Sequence, residues 1–233
     1  MATVSEWRAR LRGATLTGAA EILEENSGLP GPRANTALMQ AAALELPPAW
    51  ADELLASGSE YLATCAAAIS GAHADTPGEE HRARNLAADS RWRVREGVAT
   101  GLQLLGDRAP AALLALLPLW STDRDPLVKR AAVAACCEPR LLKTPAMAKA
   151  AIDCCAGATT ALCLQPAHVR SLREWRSLRQ TLGYGWSVAV AAAPESSLPQ
   201  FASLDTTDPD VAWIVASNRK KKRMERVLAA HGL

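Results

Sequence analysis

The chain has 233 residues, 49% of them hydrophobic and only 4% aromatic, with a formal charge of +2. That length can bury a substantial core in one or two domains, and so small a net charge excludes a generally basic nucleic-acid coat. Alanine and leucine dominate the apolar set, while the β-branched and aromatic residues that strands favour are scarce, so the composition predicts closely packed helices.

The opening MATVSEWRARLRG has no apolar signal core, and Trp7, Leu11, Ile22 and Leu23 fall at amphipathic helix positions. SGLPGPRANT (27–36) breaks the chain after a first helix, and LPPAW (46–50) ends or restarts a second. GAHADTPGEEH (71–81) separates this front part from the rest. The longest apolar run, APAALLALLPLW (109–120), is too short to span a bilayer, so the expectation is a soluble, cytoplasmic protein without membrane contact. Acids outnumber cations before residue 60, and cations dominate after residue 165.

Beyond residue 78 one local pattern recurs. ADSRWRVREGVATGLQLLG (88–106), TDRDPLVKRAAVAACC (122–137) and TDPDVAWIVASNRKK (207–221) each place an acid before an apolar helix, with Val94, Val128 and Val211 in matching positions. LREWRSLRQTLGYGWSVAV (172–190) is a weaker copy with Leu178 at the valine position, which makes the anchor spacings 34, 50 and 33 residues. Repeats of this length signal a helical solenoid. The chemistry of the pattern is local. Asp125 and Asp208 can accept backbone N–H groups as N-caps, and Pro126 and Pro209 sit at the first helical position, where a missing N–H costs nothing. A hairpin of two such helices cannot bury its apolar face alone, so neighbours must stack.

These hairpins resemble HEAT repeats, whose pattern has an acid at the inter-helix turn and a cation six residues later. Asp89 with Arg95 and Asp123 with Lys129 match it, whereas the last copy has Ala212 in place of the cation. The resemblance implies an all-α, right-handed α-solenoid of stacked antiparallel hairpins, a superhelix of HEAT-like or armadillo type. Residues 1–77 would supply N-terminal helices that cap the stack or form degenerate repeats, and residues 78–233 one continuous solenoid domain.

Residues 120–194 also resemble, more distantly, the bacterial alkylpurine DNA glycosylases built from HEAT-like repeats. Trp120 stands ahead of KRAAV (129–133) as the tryptophan of their Trp-x-x-x-Asp motif does, and LRQTLGYGW (178–186) echoes a later motif. Under that resemblance Arg179 would match a phosphate-contacting arginine and Tyr184 an aromatic position. The residue four after Trp120 is Arg124, flanked by Asp123 and Asp125, where the family needs a carboxylate to stabilise positive charge on the deoxyribose. Asp123 and Asp125 are therefore the only catalytic candidates, and each requires a shifted register.

Arg93, Arg95, Lys129, Arg130, Arg173, Arg176 and Arg179 cluster near the starts of second helices, as ladder residues, solvated charge or a phosphate track. RKKKR (219–223) reads as the end of the last helix, where cations favour exposed carbonyls. Of Trp92, Trp120, Trp175, Trp186 and Trp213, two or three are expected as core anchors between layers, and any left exposed on the concave side would be a contact hot spot. Cys65, Cys136, Cys137, Cys154, Cys155 and Cys163 form no CxxC pair and read as buried free thiols. The four histidines, at 73, 81, 168 and 231, lack metal spacing, and no glycine-rich phosphate loop, serine elbow or HExxH pattern occurs. GYG (183–185) reads as room for close helix packing. The expectation is a non-catalytic scaffold without cofactor or metal. It would bind a protein partner through Trp120, Arg95, Lys129, Arg130, Arg179 and Tyr184, with DNA binding of the glycosylase type as the alternative.

Overall fold

A computed structural model describes residues 2–232. Among them the chain is all-helical, with fifteen helices, 75% helix and no strand. No helix is long and apolar enough to cross a membrane among these residues. The chain divides after Leu113 into two compact units.

The first unit contains α1 (Val4–Leu11), α2 (Leu16–Glu25), α3 (Thr36–Glu45), a 3-10 turn at Pro48–Trp50, α4 (Ala51–Ala56), α5 (Glu60–Ala72), α6 (Pro77–Ala87) and α7 (Trp92–Arg108). Polar caps begin most of these helices. Thr3 and Glu6 form a reciprocal capping box on α1, and Thr15, Asn35 and Ser59 each accept a first-turn N–H. The core is built around α5, where every residue from Tyr61 to Ala72 is buried. It packs on α2, α3, α4, α6 and, most extensively, α7.

The α5–α7 crossing is close because both helices lack side chains there. A Cβ on Gly101 would fall 2.8 Å from both Gly71 Cα and Ala72 N, and one on Gly71 would fall 2.7 Å from the Val98 carbonyl. Gly97 meets the Thr64 backbone in the same way. Backbone thus rests on backbone over one helical turn. The boundary expected at 77/78 lies at the start of α6, inside this unit, with the close-packed α5 and α7 on its two sides.

The boundary between units falls within α8 (Pro110–Ser121). The second unit then contains α9 (Pro126–Cys136), α10 (Pro145–Cys163), the single turn α11 (Ala167–Arg170), α12 (Arg173–Ala192), α13 (Pro194–Ala202), α14 (Pro209–Arg219) and α15 (Lys222–Ala230). Asp125 accepts the Leu127 N–H at 2.8 Å, and Asp208 accepts those of Asp210 and Val211 at 2.9 and 3.3 Å, with Pro126 and Pro209 each opening its helix. The repeat anchors Val94, Val128, Leu178 and Val211 are all buried. Each contributes about 1.5–3 kcal/mol of apolar burial for a side chain of this size.

Helix α12 is the hub of the second unit. It packs on α9, α10, α13, α14 and α15, so three anchor-bearing helices follow one another in contact as α9, α12 and α14. Both glycines of GYG face such contacts. A Cβ on Gly183 would meet the Trp213 ring at 2.7 Å, and one on Gly185 would meet Val133 Cγ1 at 3.0 Å. Trp186 is fully buried, donates to Thr159 Oγ1 at 3.0 Å and lies 5.7 Å from the Phe201 ring. Asn218, also fully buried, joins α14 to α12: it accepts the Ser187 N–H and donates to the Leu182 and Ile214 carbonyls, each at 2.8 Å.

One expectation is corrected here. RKKKR does not end the last helix, because α15 follows. Arg219 closes α14, Lys221 occupies the N-cap position of α15, and Lys222 and Arg223 begin it. Met224 of α15 is buried, with Val227 and Leu228 half-buried on the same face.

Candidate functional site

The corner between α8 and α9 brings Trp120, Asp123, Arg124 and Asp125 close in sequence, but the side chains serve different partners. Trp120 is 1% exposed. Asp123 accepts the Asp125 N–H at 2.9 Å and so shapes the turn, while Asp125 caps α9. Lys129 turns back to donate to the Ser121 carbonyl at 3.3 Å, at the end of α8. Burial holds its ammonium below the ordinary lysine pKa, with the Asp123 charge opposing that shift. An open cavity of about 490 Å³ beside the corner is lined by Leu117, Ser121, Lys129, Asp153, Cys154 and neighbours, and by none of Trp120, Asp123 and Asp125. A carboxylate capping a helix already has its lone pairs directed at backbone donors, so this geometry leaves Asp125 poorly placed for an external cation.

The other expected contacts are distributed. Arg95, in the first unit, is buried and donates to the Asp89 and Ser90 carbonyls at 2.7 and 3.1 Å. The Asp89 carboxylate pairs with Arg91 at 2.8 Å, and that hydrogen bond, with the Arg91 and Arg95 charges, holds Asp89 below its ordinary pKa. At both corners, therefore, the cation six residues after the acid ties down backbone carbonyls of the turn, a structural use of its charge. Arg130 is buried.

Arg179 lies 2.8 Å from Asp210 and 4.1 Å over the Trp213 ring, so an acid and an aromatic face already hold its guanidinium. Arg170 pairs with the same acid at 3.4 Å and with Asp208 at 2.5 Å. Burial raises the Asp208 pKa, but Arg170 and the two capped N–H groups outweigh it and hold the carboxyl below its ordinary value. Tyr184 is partly exposed on α12.

The structure draws attention to a different place, in the first unit. Trp92 begins α7 and is 53% exposed, the most exposed of the tryptophans whose indole remains open to solvent. The Arg93 guanidinium lies 4.6 Å from its ring centroid and 3.2 Å from Glu60. Trp92 borders an open groove of about 670 Å³, floored by Met39, Thr64 and Thr100 and walled by the Pro32–Ala37 segment. SGLPGPRANT, read from sequence only as a break, is thus a groove wall, held by Asn35 donating to the Asn26 carbonyl at 3.0 Å and accepting from Leu38 N–H at 3.1 Å. Tyr61 donates to the Asn35 carbonyl at 2.7 Å and fixes the same wall to α5. The sequence signal for this site was a tryptophan at the first position of a helix, where the side chain is least covered by its own helix.

Cys136 and Cys137, at the end of α9, face Cys154 and Cys155 of α10, and all four are buried. Among the described residues no three or more His, Cys, Asp or Glu side chains are arranged to hold a metal ion. His73 bonds to the Ile69 carbonyl at 3.0 Å, Asp75 pairs with Arg108 at 2.8 Å, and Glu79 pairs with Arg82, so the loop acids near His73 and His81 are engaged by cations of the chain itself. No protein-family model matches the chain, and neither the curated proteins nor the solved structures yield a match.

Proposed function

We propose that the chain is a non-catalytic binding scaffold, a right-handed α-solenoid of HEAT-like hairpins that engages a protein partner through the Trp92 groove. The solenoid reading is supported by the serial packing of α9, α12 and α14, each carrying a buried anchor at the matching position. The binding reading is carried by one observation: a half-exposed tryptophan, flanked by Arg93, on an open groove with an apolar floor at Met39. A large, stiff, amphipathic side chain beside a cavity is the type of residue that dominates interface energetics. The occupant would be a short segment of a partner protein that inserts an aliphatic or aromatic side chain against Trp92 and Met39. The candidate acids of the α8–α9 corner are occupied in turn and cap geometry, which favours binding over catalysis.

The test is selection of displayed random peptides on the purified protein, followed by affinity measurement of the enriched sequences on Trp92→Ala. The expected result is enrichment of peptides sharing an apolar anchor, whose affinity falls tenfold or more on the variant while its melting temperature is unchanged. Enriched peptides that bind the variant equally well, or the absence of enrichment, would remove the groove reading. Titration with alkylated duplex DNA serves as the counter-assay. Binding that weakens steeply with salt, together with release of alkylated base lost in Asp123→Asn or Asp125→Asn, would establish the glycosylase-like alternative instead.

A further inference from the structure

Two adjacent-cysteine pairs, remote from each other in sequence, meet across α9 and α10. Cys137 Sγ lies 3.6 Å from Cys155 Sγ, and Cys136 is hydrogen-bonded to both Cys137 and Cys154. Four thiols in one buried cluster could answer to metal binding, to packing alone, or to thiol oxidation. Their arrangement does not suit a metal ion. Two further features bear on oxidation.

The first is asymmetry. Cys155 is fully buried, whereas Cys137, the residue that ends α9, retains 5% exposure. An open cavity of about 410 Å³ nearby is lined by Pro139, Leu142, Val188, Ala191, Ala192 and Arg223, and by neither cysteine. Hydrogen bonds from Cys136 and Cys155 hold the Cys137 thiol below its ordinary pKa, against burial, and the Arg223 charge acts in the same direction. The same hydrogen bonds push Cys136 and Cys155 upward. Of the two sulfurs that meet, Cys137 is the one with residual exposure, and the direction of its shift favours the thiolate, the reactive form.

The second feature is space. Gly185 of α12 faces both sulfurs: a Cβ there would stand 3.3 Å from Cys137 Sγ and 3.4 Å from Cys155 Sγ. A side-chain carbon at this position would crowd both sulfurs. A disulfide requires the sulfurs to close from 3.6 Å to about 2.05 Å.

We propose that Cys137 and Cys155 form an oxidation site, a dithiol that a small hydroperoxide, reaching the cluster at the slightly exposed Cys137, converts to an intrachain disulfide. In the first step the Cys137 thiolate attacks the peroxide, the O–O bond breaks, and the departing alkoxide or hydroxide takes up a proton as alcohol or water. In the second step Cys155 sulfur attacks the Cys137 sulfenic acid, the S–S bond forms, the S–O bond breaks, and hydroxide leaves with the Cys155 proton as water. Two thiols lose two electrons and two protons, and one peroxide is reduced to alcohol and water. The product ties the end of α9 to the middle of α10.

The experiment uses the full reduced chain and hydrogen peroxide as the probe. After exposure the protein is denatured in N-ethylmaleimide, digested with trypsin, and mapped by tandem mass spectrometry. The expected result is loss of two of the six thiols and a reductant-sensitive link between peptides 131–140 and 150–170, with Cys136 and Cys154 carrying the label. The link should disappear in Cys137→Ser and in Cys155→Ser, persist in Cys136→Ser, and form more slowly in Gly185→Ala. If a serine variant fails to fold, the fragment spectrum of the wild-type link still places the bond. Absence of any link, a link placed on Cys136 or Cys154, or conversion of Cys137 to sulfinic acid without a link would overturn the proposal.

Discussion

Replacing Gly101 with alanine tests the central contact of the first unit. On an open helix surface the change should stabilise, because alanine exceeds glycine in helix propensity by about 1 kcal/mol. At Gly101 the new carbon would stand 2.8 Å from Gly71 Cα and Ala72 N, against the 3.4 Å or more of an ordinary contact, so α5 and α7 must separate by several tenths of an ångström. These neighbours are backbone and cannot rotate away. Helix α5 has no exposed face toward which to move, being buried from Tyr61 to Ala72. Overpacking typically costs about 1–3 kcal/mol, and this site should lie at or above the upper end, for a net loss of about 2 kcal/mol after the propensity gain. For a chain of this length that lowers the melting temperature by about 4–8 °C. Gly157→Ala is the matched control: it lies inside α10 with open space around the new carbon, so the same chemistry should raise the melting temperature by about 2–4 °C. Thermal unfolding followed by circular dichroism reads both. If Gly101→Ala melts at or above the wild-type temperature, the close α5–α7 crossing is wrong.

Other substitutions probe the second unit. Asp125→Ala removes the cap of α9 and should cost about 1 kcal/mol, measured by urea unfolding; a neutral result would return the carboxylate to consideration as a functional group. Asn218→Leu leaves the Ser187 N–H and the side chain's carbonyl partners at Leu182 and Ile214 without Asn218, and should cost about 2–3 kcal/mol by the same assay. Acid should destabilise the fold only at low pH. Asp89 and Asp208, with Glu45 held by Arg12 and Arg8, have folded pKa values below their ordinary 3.8 and 4.5. Their contribution is complete above those values and is lost as pH falls through the folded ones, so the melting temperature should fall below about pH 4. A fall beginning at pH 6 would assign acid sensitivity to other groups.

What could be read from the sequence was local. Asp125, Pro126, Asp208 and Pro209 cap and start their helices because capping depends on residues two or three apart, and the buried anchors at 94, 128, 178 and 211 followed from helical periodicity. The GYG reading also rested on a local fact, the absence of side chains. Helix α15 was missed although Met224, Val227 and Leu228 stand at helical spacing, because the five cations of the 220–226 stretch read as a solvated helix end. The α5–α7 glycine crossing was invisible for a different reason: Gly97 and Gly101 gain meaning only from the backbone of a helix about thirty residues earlier.

The candidate site shows the same divide. Trp92 and Trp120 both stand at helix corners with cations nearby, yet one is 53% exposed and the other 1%. Trp92 opens a helix among Arg91, Arg93 and Arg95, whereas Trp120 lies near the end of α8 after an apolar run, and how far each is exposed is decided by which other elements arrive. Arg179 presents the converse case. Its charge looked available until Asp210 and Trp213, about thirty residues later, were placed against it. Four cysteines that each read as small core residues become a chemically distinct set only when the end of α9 meets α10 beneath Gly185. In this all-helical chain the helix caps are written locally, and the surfaces and reactive groups arise from what packing brings together. The candidate sites, exposed Trp92 and paired Cys137, are accordingly residues whose surroundings are set by other helices.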